Sequence, residues 1–100
     1  MNTLTIVANI TAKKDNINVV KSELIKLVEM TLPEEGCITY DLHQGLENEA
    51  HFMVYEIWET RELWQAHNES KHLTAFVAAT KGAFEQFTVD EMMKVNQGTL

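Results

Sequence analysis

Residues 52–67, FMVYEIWETRELWQAH, constrain this chain more than any other stretch, because a strand and a helix meet there with one ionisable group on each apolar surface. Side chains alternate along a strand, so Phe52, Val54, Glu56 and Trp58 share one face, and a carboxylate sits among large apolar groups. Thr60 can cap the helix that follows. On that helix Leu63, Trp64 and His67 stand at i, i+4 and i, i+3 spacings, which puts an imidazole in the apolar stripe. Burying either group costs free energy unless a partner satisfies it. Both positions therefore point to a buried polar centre, either a satisfied piece of core or part of a small-molecule pocket.

The rest of the chain supplies the surrounding elements. Leu4 to Ala12 alternates apolar residues with Thr and Asn, the pattern of a first strand. Asp15 or Asn16 can cap a helix in which Ile17, Val20, Leu24, Leu27 and Val28 follow the 3.6-residue period. That helix ends at Thr31-Leu32-Pro33, and Gly36 supplies a turn. A second strand runs from Cys37 to Gln44 with Ile38, Tyr40 and Leu42 on one face, and a loop over 45–50 leads to a third from His51 to about Glu59. After the short helix to about Glu69, Ser70 can cap another from Lys71 to about Phe84, with Leu73, Phe76, Val77 and Phe84 as its stripe. Phe87 to Val95 reads as a fourth strand, and Asn96 to Leu100 as a loose tail. No repeat or linker interrupts residues 1–100, so a single domain is expected.

The order β-α-β-β-α-β is that of a ferredoxin-like α+β fold with an antiparallel sheet. Its helices cover one sheet face only. Yet Ile6, Ala8 and Ile10 oppose Val7 and Asn9, and Met53, Tyr55 and Ile57 oppose Phe52, Val54 and Trp58, so several strands are apolar on both faces. The uncovered face calls for a second copy of the chain, which predicts a homodimer joined sheet to sheet.

Charge and composition exclude several classes. Fifteen acidic residues against eight basic ones give a net charge of −7, and Lys13-Lys14 is the only adjacent basic pair, so no stripe tracks a phosphate backbone and nucleic acid is not an expected partner. Apolar runs are too short for a membrane span. The opening MNTLTIVANI has the alternation of a strand rather than the basic region and apolar run of a leader, and the lone Cys37 offers no disulfide framework, so a cytoplasmic protein is expected.

Four histidines raise the question of a metal. His43, His51, His67 and His72 match no H-x-x-x-H or H-E-x-x-H spacing, and His67 and His72, five residues apart, would fall on different faces of a helix, so no metal site is expected. The glycines are isolated and form no phosphate-cradling loop, and no G-x-S-x-G nucleophile is present, so neither nucleotide, flavin nor covalent catalysis is indicated. His67, Glu56, Asn9 and the aromatic residues are left. Each has a plain structural role open to it: hydrogen-bonded core for His67 and Glu56, a strand bulge for Asn9, and core filling for Trp58, Trp64, Phe76 and Phe84.

Three stretches, LTIVANITAK, PEEGCITYDLHQ and HFMVYEIWETRELWQAHNESKHLTAF, resemble the antibiotic biosynthesis monooxygenase (ABM) domain family over roughly residues 3–80. The last contains the F-x-x-x-E-x-W pattern followed by the helix histidine. The resemblance implies a dimeric α+β barrel with a pocket between helices and sheet. It also implies a monooxygenase that oxidises a small phenolic or quinol-type aromatic with O2 and needs no cofactor. Carried over by position, His67, Asn9 and Glu56 become catalytic candidates, and Trp58, Tyr40, Phe76 and Trp64 become substrate-binding candidates. The axial histidine of haem-degrading relatives falls near Val77 here, which disfavours haem chemistry. The family also contains non-oxygenases, so two alternatives stand beside this one: an isomerase of a small phosphorylated metabolite, and a binding module without turnover.

Overall fold

The computed structural model describes residues 3–96. In chain order the elements are β1 (Leu4–Ala12), a 3-10 turn (Lys14–Asn16), α1 (Ile17–Thr31), β2 (Cys37–Gln44), β3 (His51–Trp58), α2 (Arg61–Asn68), α3 (Lys71–Ala79) and β4 (Phe84–Met92). The strands form one sheet in the order β2-β3-β1-β4, and every neighbouring pair is antiparallel. This is the ferredoxin-like α+β arrangement. No helix among the described residues is long and apolar enough to cross a membrane.

The core lies on one sheet face. Ile6, Ala8, Ile10 and Ala12 of β1 and Phe52, Val54 and Trp58 of β3 are buried there, beneath Val20, Leu24 and Leu27 of α1 and Phe76 of α3. Burying a large apolar side chain of this kind stabilises the fold by roughly 1.5–3 kcal/mol. The short α2 and α3 are held at their starts by side-chain caps, since Thr60 Oγ1 accepts from the Leu63 N–H at 3.1 Å and Ser70 Oγ from the Leu73 N–H at 3.2 Å. Asn16 occupies the corresponding place before α1, but its side chain makes no capping bond. Between α1 and β2 the chain turns through Gly36 at φ +86°, where an added Cβ would lie 2.4 Å from Leu63 Cδ1 of α2.

Four sequence expectations need correction. The helix expected to reach Phe84 stops at Ala79: Thr80 closes it, Gly82 takes φ +77°, and Phe84 begins β4. Strand β4 is accordingly Phe84–Met92 rather than Phe87–Val95, because pairing with β1 from Ala12↔Phe84 to Thr5↔Met92 sets its limits. Val77, placed in the buried stripe, is 60% exposed. Ile38 leaves the face of Tyr40 because the register shifts between Cys37 and Thr39, and it is exposed. The tail expected to be loose lies, over residues 97–100, outside the described residues.

Candidate active site

Glu56 stands in the middle of the sheet, opposite Ile6 of β1 on one side and Tyr40 of β2 on the other. Its side chain points to the helix-covered face and is buried. The Trp58 indole N–H, two residues along the same face, donates to Glu56 Oε1 at 2.9 Å. That bond favours the charged carboxylate, but burial outweighs it, and the negative charge of Glu34 adds to burial, so the Glu56 pKa is pushed up to about 7.

His67 closes the same space from α2. It is 2% exposed, lies 4.9 Å from Trp58 between ring centroids, and meets Tyr40 edge-on at 5.4 Å. Its Nδ1 lies 2.6 Å from Glu34 Oε2. A carboxylate can only accept, so Nδ1 carries the hydrogen and the imidazole lone pair sits on Nε2. That nitrogen is 3.5 Å from the Tyr40 hydroxyl. Burial lowers the His67 pKa despite the opposing pull of Glu34, which favours the neutral ring. Burial and the charge of Glu56 push the Tyr40 phenol far above its ordinary value, so it stays protonated and can donate to Nε2.

These groups border a cavity of about 530 Å³, lined by Glu56, His67, Tyr40, Trp64 and Phe76 together with Phe84, Phe87 and Val89 of β4. The volume is that of a small-ligand pocket. Its β4 wall is apolar but only partly covered, with Phe87 55% and Val89 40% exposed, so the cavity opens toward that edge of the sheet. No lysine or arginine lines it among the described residues.

Five of the seven residues singled out from the sequence thus come together: Glu56, His67, Tyr40, Trp64 and Phe76. Trp58 does not line the cavity but is fully buried beside it, holding Glu56. Asn9 does not reach it within this chain. Ile6, Ala8 and Ile10 take the buried face of β1, so Asn9 points to the opposite one, where its Oδ1 meets His51 Nε2 at 2.8 Å.

Sequence reasoning missed Glu34 and the part played by His72. His72 Nε2 also lies 2.6 Å from Glu34 Oε2. The five-residue spacing argument failed because His67 and His72 belong to different helices, with the turn at Glu69-Ser70 between them. The Ser70 cap was the available signal, since a cap between two residues means that they do not share one helical wheel. Glu34 sits in a turn, where no periodicity announces which way a side chain faces.

The chain is thus a ferredoxin-like α+β domain in which a buried histidine of α2 and a buried carboxylate of β3 border an aromatic-walled cavity. The sequence profile of the antibiotic biosynthesis monooxygenase family matches residues 3–79, and the chain belongs to that family. It is 38% identical over 72 residues to YjcS of Bacillus subtilis, an uncharacterised protein, a match spanning 72% of this chain and 68% of the relative. It is 37% identical over 60 residues to a Bacillus subtilis protein named "Putative monooxygenase YcnE", spanning 60% of this chain and 63% of that one. Among solved structures, PA3566 from Pseudomonas aeruginosa superposes with a TM-score of 0.91 at 26% identity, covering 96% of this chain and 97% of that one.

Proposed function

We propose that the chain is a cofactor-independent monooxygenase that oxidises a small phenolic or quinol-type aromatic with O2. The observation that carries this reading is the buried His67, held through Nδ1 by Glu34 with its Nε2 lone pair at an aromatic-lined cavity. His67 Nε2 takes the phenolic proton, leaving an electron-rich phenolate that can itself pass an electron to O2. One oxygen atom enters the ring as a quinone oxygen and the other leaves as water, so a phenol and O2 give a quinone and H2O. Glu56, its pKa raised by burial to about 7, hands on a proton as the oxygen intermediate breaks down. The apolar walls position the ring and limit water.

The absence of lysine and arginine from the lining, among the described residues, favours an uncharged aromatic over a phosphorylated metabolite. Chelator-treated protein should consume O2 with some member of a panel of phenols and quinols, read with an oxygen electrode. Ligand-induced thermal stabilisation with no O2 uptake across the panel would instead identify a binding module.

The proposal extends to the assembly. Val7, Met53 and Ile57 lie half-buried and Tyr55 exposed on the sheet face that carries no helix among the described residues. A second copy laid sheet to sheet would cover them. Sedimentation at micromolar concentration should give a dimer, and a well-folded monomer there removes the idea.

A further inference from the structure

Glu34, His67 and His72 reach one point from three separate segments: the turn after α1, the last turn of α2 and the first turn of α3. Their donor atoms, Glu34 Oε2, His67 Nδ1 and His72 Nε2, all lie within 4.8 Å of one another. We propose that these three residues form a binding site for a divalent first-row transition ion of the zinc class, beside the cavity rather than inside it.

The donor chemistry selects the ion. Two imidazoles and one carboxylate suit zinc and its neighbours, whereas magnesium and calcium favour all-oxygen shells. Three protein ligands leave a further position for water.

The geometry is close to what an ion needs. Around tetrahedral zinc, with bonds of about 2.0–2.1 Å, neighbouring donors stand about 3.4 Å apart. The two histidine nitrogens are each 2.6 Å from Glu34 Oε2, so the carboxylate must withdraw by somewhat under about 1 Å to admit the ion. Its side chain is 17% exposed and sits in a turn, which leaves it room to move. The His67 ring, by contrast, is fixed against Trp58 and Tyr40.

The surroundings fit as well. A ligating histidine usually donates its other ring N–H to a fixed partner. With Nδ1 on the ion, Nε2 of His67 carries the hydrogen, and the Tyr40 oxygen 3.5 Å away is placed to accept it. The His72 and Glu34 side chains are each 17% exposed, which gives the ion an approach from solvent.

The test reads binding rather than turnover, and because an ion on Nδ1 puts the hydrogen on Nε2, the base role of His67 belongs to the chelator-treated protein and is judged there separately. Zinc sulfate titrated calorimetrically into chelator-stripped protein should bind one ion per chain with micromolar or tighter affinity. His72→Ala and Glu34→Gln should each weaken it at least tenfold. Cobalt(II) in place of zinc should give the visible absorption of a low-symmetry nitrogen and oxygen site. In the unaltered protein, zinc should shift the ring resonances of His67 and His72 and leave those of His43 and His51 in place. Substoichiometric binding, equal affinity in a folded variant, or shifts at His43 and His51 instead would overturn the site.

Discussion

His67→Ala should lower turnover of an accepted phenol or quinol by roughly a hundredfold to ten-thousandfold while the protein stays folded. The expectation rests on the proposed base role, since alanine removes the nitrogen that receives the proton and leaves the cavity walls in place. The competing account is that His67 only satisfies Glu34 in the core. On that account the same change costs about 1–3 kcal/mol of stability through the lost hydrogen bond, with the rate per folded molecule unchanged. Glu34 keeps His72 as a donor in either case, so the turn should not collapse. Measuring melting temperature and kcat on one preparation separates the accounts, and full activity in a destabilised variant would end the assignment of His67 as base.

Glu56→Gln should make the protein more stable at pH 8 and leave it unchanged near pH 4. The sign follows from the direction of the shift. A carboxyl raised from its ordinary 4.5 to about 7 is favoured by the fold in its protonated form. Its contribution is fully present below about 4.5 and is lost as pH rises through about 7. The loss amounts to about 3 kcal/mol by pH 8. Glutamine is neutral throughout and its oxygen can still accept from the Trp58 indole, so the variant escapes that loss. A gain of roughly 10–20 °C in melting temperature at pH 8 is expected for a domain of this size. Parallel pH–stability curves for the two proteins would show that Glu56 is not the titrating group.

The parts of this architecture that were legible in the sequence are those written in a repeat. Period two along β3 put Glu56 on the buried face with Phe52, Val54 and Trp58, and burial there alternates in the same way. The i+3 and i+4 spacings on α2 turned His67 toward the sheet, where it is buried. Asn9 shows the same rule from the other side. Its parity opposes Ile6, Ala8 and Ile10, so strand alternation sets it on the far face, although the sequence reading groups it with His67 and Glu56 at the pocket before the family resemblance names it as well. If the chain pairs sheet to sheet, Asn9 and His51 would face the partner.

What periodicity could not supply was decided by distant contacts. Phe84 continues the apolar stripe of α3 on a helical wheel, yet it pairs with Ala12 across the sheet, and the left-handed Gly82 frees the chain to do so. Glu34 lies in a turn beside Gly36, which packs against Leu63 of α2, and its partners are 33 and 38 residues away. Local pattern carries no information about such a meeting. The chemistry of the site is therefore half local and half a product of tertiary closure.

Gly36 gives that closure its gauge. Glu34 precedes it by two residues, and Leu63, whose Cδ1 would lie 2.4 Å from a Cβ added at position 36, precedes His67 by one helical turn. The separation between acid and imidazole is thus metered by bare backbone pressed against a leucine, with no room for even a methyl spacer. Position 36 bears no functional group, yet it sets the reach of the carboxylate as surely as a hinge pin sets the swing of a door.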